Sequence, residues 1–138
     1  MKKFRNWVMF AVVLAMVLSL AVGVSANSTS VTSPYYGTIS GTSYQNSTSP
    51  ATFYTSSRMS KNPDSARFVI DVDYNDGENY LTALSQRSSC GITSFTYTFP
   101  IYFTFDAIPN MAYVSHCVQD GTKYASKATY TSAPLTIN

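Results

Sequence analysis

Charged groups and imidazole are scarce in this sequence. Of its 138 residues 12% are charged, one is histidine and two are cysteine. A single imidazole with two thiols supplies too few ligands for a closed, four-coordinate zinc site of Cys and His alone, and it leaves one candidate for histidine-based acid–base catalysis. The sequence also has no G-x-S-x-G elbow and no glycine-rich phosphate loop. These absences exclude several enzyme classes and favour a protein that acts without catalysis.

The N-terminal 26 residues have the pattern of an export signal. Three basic side chains within the first five residues precede an apolar run that ends at Val24 in the letters VSA. A basic start, an apolar core and small residues before a polar stretch are typical of a cleaved signal peptide. We therefore expect cleavage after Ala26 and a protein that is secreted or associated with the cell envelope. A retained membrane anchor is the alternative, because the run is about long enough to span a bilayer.

Removing that segment changes the charge balance of the chain. Three of the nine Lys and Arg leave with it and no acid does, so six bases remain against seven acids. A domain with no basic excess lacks the electrostatic footprint of a nucleic-acid binder. The expected partner is a protein, a glycan or a cell surface, with membrane contact only through the signal segment during export.

The remaining chain is long enough for one domain with a modest core. Residues 27–33 are rich in Ser, Thr and Asn and predict a flexible lead-in, followed by a single domain over 34–138. An even number of cysteines in an exported chain predicts a disulfide between Cys90 and Cys117. The alternative is two reduced thiols.

Strand periodicity dominates the rest of the sequence. In ARFVIDVDY four apolar residues alternate with mostly polar ones, and the apolar set is Phe68, Ile70, Val72 and Tyr74. This is the pattern of a half-buried strand, and NDG after it predicts a turn into a return strand. Seven to eight such strands, with no helical periodicity outside the signal, predict an all-β fold. We expect a small antiparallel two-sheet β-sandwich, with a small barrel as second choice.

The run SFTYTFPIYFTF alternates through a proline. Its aromatic and aliphatic side chains at odd positions are Phe95, Tyr97, Phe99, Ile101, Phe103 and Phe105. Because the alternation does not change phase at Pro100, all six are expected on one core-facing side. Proline lacks an N–H, so its position must lie at a sheet edge, at a bulge or where the strand changes sheets. The pattern predicts a long bent strand.

A hairpin is predicted around Asp120-Gly121, a dipeptide that favours two-residue turns. With Gln119 opposite Thr122, one mostly apolar face collects the residues Met111, Tyr113, Ser115 and Cys117 from the first strand. This register predicts that Cys117 faces the core and that His116 lies on the outer face.

Acidic residues concentrate in DVDYNDGEN. The residues Asp71, Asp73, Asn75 and Asp76 resemble the start of a calcium loop, since hard cations take several oxygens from one turn. The glycine is one place late for an EF-hand loop, and an amphipathic strand with a turn explains the same pattern. Asp71 and Asp73 also have a separation of the order that glycosidase carboxylates use, although nothing predicts burial of either.

Tyrosines that the alternation does not place inside are the candidate ligand contacts: Tyr102, Tyr54, Tyr35 and Tyr36. Exposed rings among Ser and Thr make an adaptable contact surface for sugars or proteins. The sequence thus predicts a non-enzymatic binding protein without a cofactor, apart from the possible calcium. The alternatives are a secreted antimicrobial or toxin-like effector of bacteriocin type and a small secreted hydrolase.

Overall fold

The computed structural model describes residues 27–61 and 63–138, and the predicted signal peptide lies outside this part. The described chain forms eight strands and no helix. They are β1 (Asn27–Ser33), β2 (Gly37–Thr48), β3 (Ala51–Met59), β4 (Arg67–Asn75), β5 (Tyr80–Arg87), β6 (Ser94–Pro100), β7 (Met111–Asp120) and β8 (Tyr124–Pro134). Within these ranges no helix is long and apolar enough to cross a membrane.

The strands form two antiparallel sheets of four. One sheet has the order β1-β2-β3-β6 and the other has the order β5-β4-β7-β8. Their inner faces share one interior, as in a β-sandwich. The all-β prediction is confirmed, and the alternation of β4 is correct, since Phe68, Ile70, Val72 and Tyr74 are all fully buried.

The prediction of a flexible lead-in is wrong for residues 27–33. This segment forms β1, which pairs along its whole length with β2 from Asn27 opposite Ser43 to Ser33 opposite Gly37. The alternation of its hydroxyl side chains explains the error. Thr29 turns inward and hydrogen bonds Thr129 of the other sheet at 2.9 Å, so a polar sequence still has an inner face.

Two apolar clusters fill opposite ends of the interior. The larger cluster is built from Ala51, Phe53, Ile70, Val72, Tyr74, Phe99, Ile101, Ala112, Val114, Ala133 and Leu135. The smaller cluster is built from Tyr36, Ile39, Met59, Ala66, Phe68 and Val118. Each includes residues from both sheets, so each stabilises the packing of one sheet on the other.

A layer of hydrogen-bonded polar side chains separates the two clusters; we call it the polar seam and define it as Ser43, Ser57, His116 and Thr131. His116 Nδ1 lies 2.8 Å from Ser57 Oγ, and its Nε2 lies 2.8 Å from Thr131 Oγ1. Thr131 Oγ1 is in turn 2.6 Å from Ser43 Oγ. Ser57 and Ser43 belong to one sheet and His116 and Thr131 to the other. The seam therefore links the two sheets through satisfied polar groups.

The strand through Pro100 is shorter than predicted. Phe99 and Ile101 are buried as expected, but β6 ends at Pro100, and Phe103 and Phe105 are exposed. Pro100 is the last residue of an edge strand, where its missing N–H breaks no ladder bond. The edge position is thus confirmed, whereas the long bent strand with six core-facing residues is not formed.

The β7–β8 hairpin exists, but its predicted register and faces are wrong. Cys117 pairs with Ala128 and Asp120 pairs with Tyr124, which leaves a three-residue turn rather than Asp120-Gly121 alone. A bulge between Val118 and Asp120 accounts for part of the shift. The inner face of β7 carries alternate residues from Ala112 to Asp120, His116 among them, so the predicted inner set points outward.

The predicted disulfide is also not formed. Cys117 lies on the outer face of its sheet, and Cys90 is exposed beyond the end of β5; both are free thiols. Val69 of β4 pairs with Cys117 on one side and with Arg87 of β5 on the other. The strand β4 therefore lies between β5, which leads to Cys90, and β7, which carries Cys117. Burial raises the pKa of the Cys117 thiol, and the neighbouring Asp71 charge adds to this rise.

Candidate functional site

Exposed apolar side chains collect at one end of the sandwich, the end that holds the larger apolar cluster. Among the described residues eight large apolar side chains are exposed, and six of them lie there, on the loop between β6 and β7 or at the adjoining ends of β5 and β7. We call this surface the aromatic end and define it as Tyr80, Tyr102, Phe103, Phe105, Ile108 and Tyr113. Exposed apolar side chains that cluster in this way are typical of a contact site.

A tight turn presents the most exposed ring. Thr104 and Ala107 exchange two backbone hydrogen bonds of 3.2 Å, with Phe105 and Asp106 between them at the tip. Phe105 is 95% exposed. Because the turn satisfies its own backbone groups, the ring projects from an ordered support rather than from an unpaired chain.

Several hydrogen bonds hold this loop to the body of the domain. At its start, Tyr74 Oη donates to the carbonyl of Pro100 at 3.1 Å, and burial raises the pKa of that phenol. At its end, Asn110 donates from its backbone to Asn75 O at 2.9 Å and from Nδ2 to Asp76 O at 2.9 Å. The loop between these anchors is therefore fixed at both ends against β4.

The β4–β5 turn beside the loop uses its acidic side chain for its own structure. Asp76 Oδ1 accepts hydrogen bonds from the backbone N–H groups of Asn79 at 2.7 Å and Glu78 at 3.0 Å. These bonds, that from Asn79 first, lower the pKa of Asp76. Asn75 Oδ1 accepts in the same way from Gly77 N at 3.1 Å. The oxygens that the calcium hypothesis needs are thus engaged in the turn.

The other two residues of that hypothesis lie on β4, outside the turn. Asp71 pairs with Ser115 and Asp73 pairs with Tyr113, on the outer face of the sheet. Among residues 27–61 and 63–138, no group of three or more His, Cys, Asp or Glu is placed to hold a metal ion. The calcium site stays a prediction that no contact in this part of the chain supports.

The described cations lie toward one end of the molecule, and four of the seven acids lie at or beside the other. All six Lys and Arg in the described residues lie at or toward the end that holds the smaller apolar cluster. We call this surface the basic end and define it as Arg58, Lys61, Arg67, Arg87, Lys123 and Lys127. The aromatic end has no described cation, and four acids lie at it or beside it: Asp73, Asp76, Glu78 and Asp106. Its surface is therefore both apolar and negative.

The four candidate tyrosines have different environments. Tyr102 belongs to the aromatic end and is 59% exposed. Tyr54 packs on Tyr44 on the outer face of the other sheet, with ring centroids 4.8 Å apart. Tyr35 lies near the basic end and stacks on Tyr124 at 4.2 Å. The structure does not bring these three together into one site.

The prediction that Tyr36 is a ligand contact is wrong. Its ring is fully buried in the smaller apolar cluster, because the chain turns back after β1 and directs this side chain inward. The backbone N–H groups of Tyr35 and Tyr36 both point to Ser33 Oγ, at 3.3 and 3.4 Å, and these contacts hold the turn.

Sequence reasoning missed most of the aromatic end, because it assigned Phe103 and Phe105 to the core and did not consider Ile108. A signal was present in the letters DAIPN, since Asp and Pro are turn residues. The predicted strand was extended through Phe105, whereas the chain leaves the sheet directly after Pro100.

The prediction that His116 lies on the outer face is wrong as well. The ring points inward, where it contacts the hydroxyl group of Ser57. A serine oxygen 2.8 Å from an imidazole nitrogen has the distance of a nucleophile and its base. Ser57 and His116 are both fully buried, however, and in the described part of the chain the ring nitrogens bond to hydroxyl groups, those of Ser57 and Thr131, rather than to a carboxylate. Burial lowers the pKa of His116 to about 4, so the ring is a neutral hydrogen-bonding group of the interior near pH 7.

Comparison with family models, with curated proteins and with solved structures finds no match to this chain.

Proposed function

We propose that this chain is a secreted or envelope-associated, non-enzymatic β-sandwich that acts by binding a macromolecule through its aromatic end. The observation that carries the proposal is the concentration of exposed rings at one end, on a loop that hydrogen bonds hold to β4. Interfaces are enriched in Tyr and Phe because a rigid ring buries a large area at a low entropic cost.

The neighbouring acids favour a partner that offers hydrogen-bond donors or cationic groups. Asp73 is paired with Tyr113 across β4 and β7, so a carboxylate and an exposed ring share one row of the sheet. A sugar ring or a basic side chain stacked on the tyrosine would lie within reach of that carboxylate. A partner with a strongly negative surface is disfavoured by the same charges.

The test compares two exposed tyrosines at opposite ends of the molecule. Tyr102→Ala removes a ring of the aromatic end, and Tyr35→Ala removes a ring of similar exposure near the basic end. Protein recovered from the producing culture is incubated with whole producing cells and with polysaccharide extracted from their envelope, and the bound fraction is measured. We expect Tyr102→Ala to weaken binding about tenfold, as loss of one aromatic anchor does, and Tyr35→Ala to retain it.

Thermal unfolding of both variants serves as the control for folding. Absence of binding by the wild-type protein to cells and to polysaccharide would overturn the proposal. So would equal losses in the two variants, because the aromatic end would then have no special role.

A further inference from the structure

We propose that the aromatic end of one molecule docks on the basic end of a second copy, so that the chain associates head to tail. This inference rests on the proposed binding role of the aromatic end and names one occupant for it. The surface that fits an apolar, negative site is an accessible, positive one, and this chain carries such a surface at its other end.

The charges at the two ends are not neutralised within the molecule. Within residues 27–61 and 63–138, no ion pair with a carboxylate is found for any cation of the basic end. Lys61 Nζ donates to the carbonyl of Pro34 at 2.8 Å, and Lys123 Nζ lies 5.2 Å from the centre of the Tyr124 ring. These ammonium groups therefore remain available to carboxylates of another molecule.

Two acids also lie toward the basic end, and neither cancels its charge. Asp120 is buried and accepts a hydrogen bond from Ser65, while Asp64 is exposed in the β3–β4 connection. Against them stand six cations, so the exposed surface is positive on balance.

Aromatic contacts add to the complementarity of charge. The stacked pair of Tyr35 and Tyr124 provides an aromatic area beside Lys123, and the Tyr35 ring is half exposed. A ring such as Phe105 can pack on this area, and the lysine can lie over a ring of the second copy, which adds cation–π attraction. The near-zero net charge of residues 27–138, six bases against seven acids, gives little overall repulsion between copies.

The geometry predicts open chains rather than closed dimers. The two surfaces are different and lie at opposite ends of the strands, so the contact is heterologous and leaves one free site at each end of any oligomer. Sedimentation velocity of the wild-type protein at about 0.01 M salt should therefore show a sedimentation coefficient that rises with concentration without a plateau at the dimer. At about 1 M salt, where the Debye length is about 3 Å, the rise should shrink.

Two variants that neutralise charge give the decisive experiment. Glu78→Gln/Asp106→Asn disables the aromatic end, and Lys123→Gln/Lys127→Gln disables the basic end. Because the substituted side chains are neutral, they have no charge with which to attract each other in a mixture. Each variant alone should be monomeric where the wild type associates, with an association constant at least about tenfold lower. An equimolar mixture should form dimers and nothing longer, because only one competent pair of surfaces remains. Circular dichroism and thermal unfolding verify that both variants fold.

Other outcomes would overturn the inference. If the basic-end variant still associates by itself, the contact joins two aromatic ends. If the wild type is monomeric at every concentration, no docking between copies takes place. Neither result depends on retention by cells or polysaccharide in the Tyr102→Ala comparison, so failure of the head-to-tail contact and failure of the binding role are distinguishable.

Discussion

The aromatic end and the basic end of this sandwich have similar interiors and opposite surfaces. Each end encloses a cluster of fully buried residues drawn from both sheets, around Phe53 and Phe99 at one end and around Phe68 and Tyr36 at the other. Outside, one end carries exposed rings and acids, and the other carries all the described lysines and arginines.

This difference between the two surfaces indicates that the exposed rings are not needed to complete the apolar core. The larger cluster is closed without them, since Ile101 and Leu135 are already buried at its rim. Phe105, which is 95% exposed beyond that rim, contributes little to folding and is free to contact a partner. At this end of the molecule, we therefore expect substitution of buried residues to lower the free energy of unfolding and substitution of exposed rings to weaken binding.

The largest expected effect tests whether the two interiors are equivalent. Phe99→Ala and Phe68→Ala each remove a fully buried ring, one from each cluster. Both should lower the free energy of unfolding by about 3–5 kcal/mol, the usual cost of such a cavity. Urea unfolding measures the change.

Phe105→Ala is the matched control, because it removes the same side chain from the exposed tip of the loop. Its free energy of unfolding should stay within about 0.5 kcal/mol of the wild type. A loss as large as that of Phe99→Ala would mean that the tip belongs to the core, and the separation of binding from stability would fail.

The polar seam between the clusters predicts a loss of stability in mild acid. The folded-state pKa of His116 is about 4, below the ordinary value of 6.5 that it regains on unfolding. Between these values the unfolded chain binds a proton that the folded chain does not. The free energy of unfolding should therefore decrease as the pH drops from about 6.5 to about 4. The total decrease caused by His116 should be about 3 kcal/mol, with no further contribution from this residue at lower pH.

In the upper part of this pH range the titration of His116 can be measured apart from that of the carboxylates, because it is the only histidine in the sequence and carboxylates protonate at lower pH. Urea unfolding between pH 7 and 5 should show the slope in the wild type and not in His116→Gln, which cannot titrate. A flat wild-type profile would mean that the ring is solvated rather than buried between the sheets.

A third expectation concerns the close approach of β2 to the seam. A methyl group on Gly41 would come within 2.2 Å of the His116 ring, so Gly41→Ala should destabilise the fold by about 1–3 kcal/mol through overpacking. Ser40→Ala, one residue away on the outer face, should change little. Because the clash needs the ring, Gly41→Ala/His116→Ala should lose less than the two single losses combined; additive losses would contradict this contact.

The sequence alone identified the inner face of β4 correctly and that of β7 incorrectly, and the difference has a physical reason. In β4 only one set of alternate positions is consistently apolar, so Phe68 and Tyr74 could be assigned to the interior. In β7 both sets contain apolar residues, and Met111 and Cys117 suggested the wrong one. The inner face is decided by what packs across it, and Gly41 leaves room for the His116 ring there. That contact spans distant parts of the chain and has no local signal.

The candidate site was accessible to prediction only in part, for a related reason. Tyr102 was expected outside, and it is. Phe105 was expected inside because alternation was extended past Pro100, although side-chain period has meaning only where the backbone stays extended. The charge separation between the ends depends on strand order and could not be derived before the pairing of the strands placed Arg58 and Lys127 toward the same end of the molecule.

The smallest expected effect concerns calcium, which would add a cation to the aromatic end and erase the contrast in charge. Asp76 already accepts two backbone hydrogen bonds in its turn, and Asp71 and Asp73 lie on the strand face. Millimolar calcium should therefore leave the melting temperature unchanged, since a ligand stabilises a fold only in proportion to RT ln(1 + [L]/Kd). Magnesium at the same ionic strength controls for screening. A rise in melting temperature that is specific to calcium and absent in Asp73→Asn would support the metal site. Bound calcium would then neutralise the acids of the aromatic end, and the electrostatic attraction to the basic end of a second copy would be lost.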